Sequence, residues 1–172
     1  MQPQPVLYLM LGYPGAGKTT TAQVVVAVTG AEYLSSDETR LKLFPNPTFS
    51  EAEHQAVYMN LDGQLADLMS RGRTIVYDAN LNRYEHRQEK YRLAETHGYR
   101  TVLIWVQTER NLARQRRVEE ADLKANERGG EDPAAMFERI VRAFEPPQPS
   151  EEYVVIDGTR VTKGYIIQQL GL

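Results

Sequence analysis

Apolar residues in this chain fall into short runs separated by stretches of helical spacing. The run VLYLML, Val6–Leu11, is apolar throughout, as expected of a strand covered on both faces. Similar runs at Glu32–Ser35, Thr74–Tyr77, Thr101–Val106 and Tyr153–Asp157 predict four further strands. KTTTAQVVVAV, from Lys18, reads as a helix despite its β-branched residues. Ser50 and Glu53 make a capping box ahead of a long helix to about Ser70, with Val57, Leu61, Leu65 and Leu68 on its apolar stripe. Further helices are predicted over Arg83–Thr96, stopped by Gly98, from Glu109 to about Lys124, from Asp132 as N-cap with Pro133 behind it, and over Lys163–Leu170. FPNPTFS and NERGGED are loops, the latter with Gly129 and Gly130 as hinges, and EPPQP is a stiff connector.

Strands alternating with helices predict an α/β fold, a parallel sheet with helices on both faces. The expected organisation is one domain over residues 1–172, with a helical lid over about 108–146. Ligands of such sheets sit at the carboxyl ends of the strands. Those ends are Gly12–Thr19, Ser35–Arg40, Asp78–Arg83, Gln107–Arg117 and the stretch from Asp157 onward.

Composition narrows the classes. The net charge is −3, from 20 basic and 23 acidic residues, so no global field draws the chain to nucleic acid or membrane, and any polyanion site is local. There are no cysteines, which excludes disulfides and cysteine zinc sites and fits a reducing cytoplasm. The N-terminal MQPQPVLYLMLGYPG has no basic flank and only a short apolar run, so neither a signal peptide nor a membrane span is expected. His54, His86 and His97 have no metal-ligand spacing and are expected to be surface or structural, and Trp105 to be core.

The chemistry begins at GYPGAGKT, Gly12–Thr19, which fits the P-loop pattern G-x-x-x-x-G-K-[ST] between a buried strand and a helix. Its glycines let backbone N–H groups turn onto phosphate oxygens, and the helix N-terminus adds partial positive charge. The expected ATP contacts are Gly12, Gly15, Ala16, Gly17, Lys18, Thr19 and Thr20. Lys18 reaches the β- and γ-phosphates, and the Thr19 hydroxyl is a ligand for Mg²⁺.

The third strand ends in Asp78, as a Walker B strand does, and Asp78 is the second expected Mg²⁺ ligand, unless it only caps the strand end. Hydrolysing ATPases often follow that Asp with a Glu that activates water, whereas here Ala79 follows, and the chain is too short for a second helical domain. Transfer to a bound hydroxyl is therefore expected over hydrolysis. Asn80 and Asn82 are placed to hydrogen-bond an acceptor or a phosphate, with Asn82 alternatively the N-cap of the next helix.

In SSDETR, Asp37 and Arg40 are three residues apart on a helical turn and so share a face. The segment follows the strand expected beside the P-loop strand. Asp37 there is placed to take the acceptor proton while Arg40 binds an anionic group on the acceptor. The alternative is a capping box of Ser35 with Glu38, in which Asp37 merely suits the helix dipole, and the two readings are compatible. ERNLARQRR places Arg110, Arg114 and Arg117 on one helix face, either as lid arginines for the transferred phosphoryl group or as a solvated face balanced by Glu109, Glu119, Glu120 and Asp122.

Taken together, GYPGAGKT, DETR, DANLN and ERNLAR resemble the motifs of the small P-loop kinases of the polynucleotide kinase and zeta-toxin-like group, closest to the kinase domain of bacteriophage-type 5′-hydroxyl polynucleotide kinase. FEPP after the lid is similar to the wider group. The resemblance implies a five-stranded parallel P-loop fold, with ATP and Mg²⁺ held by Lys18 and Thr19. It implies Asp37 as general base, Arg40 as ligand for an acceptor phosphate, Arg114 as the lid arginine on the donor phosphates with Arg110 nearby, and Asp78 and Asn80 near the reacting centre. The implied acceptor is a 5′-hydroxyl polynucleotide end, the alternative a small nucleoside, sugar or antibiotic. Two features depart from the family: this chain carries no phosphatase domain, and no basic, aromatic-rich stripe marks a single-strand groove. A reading of another class is a nucleotide-dependent switch or ATPase module.

Overall fold

The computed structural model describes residues 4–123 and 131–172. The expected hinges Gly129 and Gly130 and the expected helix end at Lys124 lie outside the described residues. The elements run β1 (Val6–Leu11), α1 (Lys18–Thr29), β2 (Glu32–Ser35), α2 (Ser36–Leu43), α3 (Glu51–Ser70), β3 (Ile75–Asp78), α4 (Tyr84–Thr96), β4 (Arg100–Gln107), α5 (Arg110–Leu123), α6 (Pro133–Arg142), β5 (Tyr153–Asp157) and α7 (Lys163–Leu170). The sheet is five-stranded in the order β2-β3-β1-β4-β5, and every pairing is parallel.

β1 is the centre of this sheet, and its side chains alternate between two cores. Leu7, Leu9 and Leu11 pack with Leu61 and Leu65 of α3 and Ala94 of α4. Tyr8 and Met10 face the other way, among Ala22 and Val25 of α1 and Ile166 of α7. A strand hydrophobic at every position thus fills both layers, which is why its run lacks polar alternation.

One expectation about order is corrected. β2 is not beside the P-loop strand: β3 lies between them, pairing Leu7 with Ile75 on one side and Leu34 with Tyr77 on the other. The crossover through α1 skips one strand position, and β3 returns to fill it. The consequence for function is that the ends of β1, β3 and β2 stand in a row, with Asp78 between the loop at Gly12 and the segment at Ser35.

A buried ion pair ties the return from α6 to the end of β3. The Arg87 and Glu151 side chains are 0% and 1% exposed, and Arg87 Nε donates to Glu151 Oε1 over 2.7 Å. The remaining Arg87 donors reach Glu151 Oε2 and the carbonyls of Leu81, Glu145 and Pro146. Glu145 N–H in turn donates to the Asn82 carbonyl over 2.8 Å. FEPPQPSEE is thereby fixed to the loop that follows Asp78. Pro146 and Pro147 stiffen that return, and the guanidinium is satisfied on all sides, which such a buried charge requires.

Breaking the pair leaves an uncompensated buried charge. Arg87→Ala is expected to cost about 3–5 kcal/mol of stability, read as a lower midpoint in urea or thermal unfolding, and an unchanged midpoint would contradict the clamp. Burial works against the charge of Glu151, but hydrogen bonds from Arg87, the Gln148 N–H and Tyr91 prevail and hold its carboxyl below the usual range. Stability from a depressed carboxylate is full above its unfolded pKa and is lost as pH falls through the folded one. Glu151→Gln is therefore expected to flatten the acid limb of the stability profile.

Candidate active site

The loop between β1 and α1 is braced from three sides. Gly17 is the N-cap of α1, and Ala16 N–H donates to the Tyr13 carbonyl over 3.0 Å. Gly15 has φ 79°, and a Cβ there would lie 2.1 Å from the Ala113 carbonyl oxygen of α5. Only glycine lets the α5 backbone come this close. From the ends of β4 and β5, Thr108 Oγ1 donates to the Ala16 carbonyl over 2.8 Å, and a Cβ on Gly158 would lie 2.0 Å from the same oxygen. Lys18 Nζ arches over the loop and donates to the carbonyls of Gly12 and Tyr13 over 2.9 and 3.0 Å. Thr20 is exposed in the first turn of α1, beside Thr19.

Thr19 Oγ1 donates to Asp78 Oδ2 over 2.9 Å, and Tyr33 OH donates to the same oxygen over 2.8 Å. Asp78 is 7% exposed at the end of β3. A hydroxyl and a carboxylate set side by side next to a glycine cradle are hard oxygen donors of the kind Mg²⁺ takes together with phosphate oxygens, so these residues fit that ion. The Asp78 side chain faces the loop and α1, not the start of α4.

Burial lowers the pKa of the Lys18 ammonium, the nearby Asp78 and Asp37 carboxylates oppose that shift, and the Arg117 guanidinium adds to it. Asp37 and Asp78 are thus the two carboxylates that favour the charged form of Lys18. Ser35 caps α2, accepting the Glu38 N–H over 3.2 Å, so the capping role of this segment is real while the Asp37 side chain stays exposed.

Arg40 is 7% exposed, unlike Asp37. Its Nη1 is 3.5 Å from Glu53 Oε2, its Nη2 is 3.5 Å from His54 Nδ1, and its guanidinium lies 4.8 Å from the centre of the Phe49 ring. The Glu53 carboxylate also accepts from the N–H groups of Thr48 and Phe49. This corrects half of the expected capping box: Ser50 accepts the Glu53 N–H, but the Glu53 side chain turns to Thr48, Phe49 and Arg40. Phe49 has φ 56°, a costly left-handed backbone for a large residue. Asn80 N–H donates to Tyr58 OH over 3.1 Å, and Asn80 Oδ1 accepts from the Asn82 N–H. Asn82 is not the N-cap of α4. That position is Arg83, without a side-chain cap, and Glu145 accepts the Tyr84 N–H instead.

On α5, Arg110 and Arg114 are both paired with Glu138 of α6, Arg114 at 3.6 Å, and their side chains are 52% and 45% exposed. Arg117 is only 12% exposed and lies by Met136, with Nη2 3.7 Å from the sulfur. The site therefore gathers Gly12, Gly15, Ala16, Gly17, Lys18, Thr19, Asp37 and Asp78, while Arg110 and Arg114 have their charge met by α6.

Several residues here had no functional signal to announce them: Tyr33 and Tyr58 lay in no motif, and Glu53 was expected only as half of a capping box. Tyr33, Tyr58 and Glu53 hold Asp78, Asn80 and Arg40 respectively. Alternation along β2 puts Tyr33 two positions before Ser35 on the same face, which is a signal only once Asp78 is known to be opposite. His54, expected to be surface or structural, is exposed, with its ring centre 4.6 Å from that of Tyr58 at a tilt of 43°, beside Arg40. Trp105 is partly buried and not wholly core. It lines a cleft of about 660 Å³ with Tyr13, Gln107, Thr108, Asp157 and Thr159, at the carboxyl ends of β4 and β5 beside the loop.

The fold recurs in solved structures. An inferred kinase from Chloroflexus aurantiacus matches with TM-score 0.80 at 18% identity, over 98% of this chain and 97% of that one. The Pnkp1/Rnl/Hen1 RNA repair complex matches with TM-score 0.69 at 17% identity, over 83% of this chain and 45% of that one. A gluconokinase from Sinorhizobium meliloti matches with TM-score 0.65 at 14% identity, over 98% and 90%. No curated protein matches the sequence significantly. The chain thus has the P-loop kinase fold and, with residues 7–147 matching the family described as "AAA domain", it belongs to that family.

Proposed function

We propose that this protein is a phosphotransferase that moves the γ-phosphoryl group of ATP to a hydroxyl acceptor. One observation carries the reading: the Thr19–Asp78 contact stands at the end of the glycine cradle that holds Lys18, whose charge the Asp78 and Asp37 carboxylates favour. Gly15, Gly17 and Thr20 offer backbone N–H groups to the phosphates around the turn at Ala16, and Lys18 meets the β- and γ-oxygens. Thr19 and Asp78 are the residues to hold Mg²⁺, which when bound neutralises charge on the β- and γ-phosphates. Asp37 orients the acceptor hydroxyl and takes its proton as the oxygen bonds to the γ-phosphorus and the bond to the β–γ bridging oxygen breaks. Arg110 and Arg114 exchange Glu138 for donor phosphate oxygens when the lid engages. The cleft by Trp105 and Tyr13 has the place and apolar walls to take the base.

The acceptor we favour is a 5′-hydroxyl polynucleotide end. Arg40, one turn after Asp37, suits an acceptor that carries a phosphate, with Asn80 as a further acceptor contact, and the shared fold of the RNA repair complex accords with it. The pairing of Arg40 with Glu53 favours a second reading, a small neutral alcohol, because it offsets the charge an acceptor phosphate would meet.

Transfer of label from γ-labelled ATP to a 5′-hydroxyl oligonucleotide, beside a panel of nucleosides, sugars and aminoglycosides, tests both. Label on the oligonucleotide is the expected result, label on a small alcohol moves the protein to the second reading, and label in free phosphate alone contradicts transfer and favours a switch module. With the labelled acceptor, Asp37→Asn is expected to lower kcat by about 10²–10⁴-fold while ATP binding persists. Full activity in that variant would remove Asp37 from the mechanism.

A further inference from the structure

Among the described residues, Phe49 is the one residue other than glycine with a positive φ, and its side chain is left 44% exposed. A left-handed backbone is costly for a large residue, and glycine would take the same turn without strain. Glu53 holds the conformation: its carboxylate accepts from the N–H groups of Thr48 and Phe49, each over 2.8 Å. The same carboxylate pairs with Arg40 Nη1, and Arg40 Nη2 is 3.5 Å from His54 Nδ1. Arg40 Cζ lies over the Phe49 ring, 4.8 Å from its centre. The guanidinium nitrogens are thus engaged, one face of the ring is taken, and the exposure falls on the other face. Asp37, exposed like the ring, is three residues before Arg40 on α2 and shares its helix face.

A ring fixed in place with one free face is a stacking platform for a planar group. The guanidinium behind it draws electron density from the ring, which favours an electron-rich heteroaromatic partner on the open face. We propose that Phe49 stacks on a nucleobase of the acceptor, which is then a nucleoside or a polynucleotide end and not a bare sugar or an aminoglycoside. A base lying on Phe49 directs its sugar past Arg40 toward Asp37. Arg40 serves this site from behind the ring, so its pairing with Glu53 is no obstacle. One ring takes one base, and stacking reads no sequence, because every base has a π-face. The proposal rests on the reading of Asp37 as the acceptor side of the site, but not on the lid.

Binding of acceptor probes, with a non-hydrolysable ATP analogue and Mg²⁺ filling the donor site, tests it without any turnover. The probes come in two pairs: a 5′-hydroxyl oligonucleotide, fluorescent at its 3′ end, against the same chain lacking its 5′-terminal base, and adenosine against ribose. The wild type is expected to prefer the base-bearing partner by about five- to a hundredfold, the scale of stacking one base on an aromatic side chain. Phe49→Gly keeps the left-handed turn without strain and is expected to erase that preference while binding the base-free partner as before. Phe49→Trp should keep it, and so should Met59→Ala, which removes another exposed apolar side chain. Displacing Arg40 alone would weaken both partners alike, so the lost preference reports the stack itself. If Phe49→Gly does not fold, Phe49→Asn, which also tolerates that backbone, decides in the same way. A preference lost in Phe49→Gly supports the site, and the pair that shows it tells a polynucleotide from a nucleoside. Equal binding within both pairs, or a preference that Phe49→Gly retains, overturns it. Wild-type protein that binds no base-bearing probe but labels a sugar overturns the stacking site and leaves the phosphotransferase standing. Wild-type protein that shows the preference but labels no acceptor leaves Phe49 standing and removes only the transfer reading.

Discussion

The hydrogen bond from Thr19 to Asp78 joins the two strands on which the site is built. It crosses from the first turn of α1, behind β1, to the end of β3. It exists because β3 and not β2 is the neighbour of β1, so that an Asp ending one strand meets a threonine opening the helix after the other. Tyr33 adds a second donor from β2, so three consecutive strand ends converge on one carboxylate oxygen. A charge this buried is tolerated because its neighbours are donors, and the same arrangement leaves the group ready for a cation.

Around that contact, the rest of the molecule limits how the loop can move. Ala113 and Gly158 press on the cradle through backbone atoms that cannot yield without shifting an element, and Thr108 holds it through its hydroxyl. The Arg87–Glu151 pair fixes the far root of the α5–α6 excursion to the loop carrying Asn80 and Asn82. The α5–α6 excursion is thus tethered at one end to the glycine loop and at the other to the loop that follows β3. At α2, Glu53 holds Arg40 while Phe49 adopts a left-handed backbone to complete the cage. Strain kept at such a place is a reason to look for a ligand there.

Much of this was legible beforehand, because it is written in local chemistry. The all-apolar β1, the glycine spacing of the cradle and the acid ending β3 each have one physical meaning in sequence, and the elements they predict form as expected. What was not legible depends on which elements meet. No local signal places β3 inside β2. Ser50 and Glu53 fit a capping box, yet the competition for the Glu53 carboxylate is won by Thr48, Phe49 and Arg40, which only tertiary structure brings near. Asp37 and Arg40 obey the i, i+3 rule, but one remains exposed and the other is enclosed by α3 and Phe49. Three arginines at helical spacing look equivalent until packing against Gly15 and Met136 singles out Arg117.

The central claim is that the Thr19–Asp78 contact marks the place where metal and phosphate bind together. Measuring the affinity of an ATP analogue with and without Mg²⁺, in wild-type protein and in Asp78→Asn, tests it most directly. Asparagine can still accept from Thr19 but brings no charge to a cation. The account predicts that Mg²⁺ tightens binding in the wild type and has little effect in Asp78→Asn. An equal Mg²⁺ dependence in both proteins would contradict it.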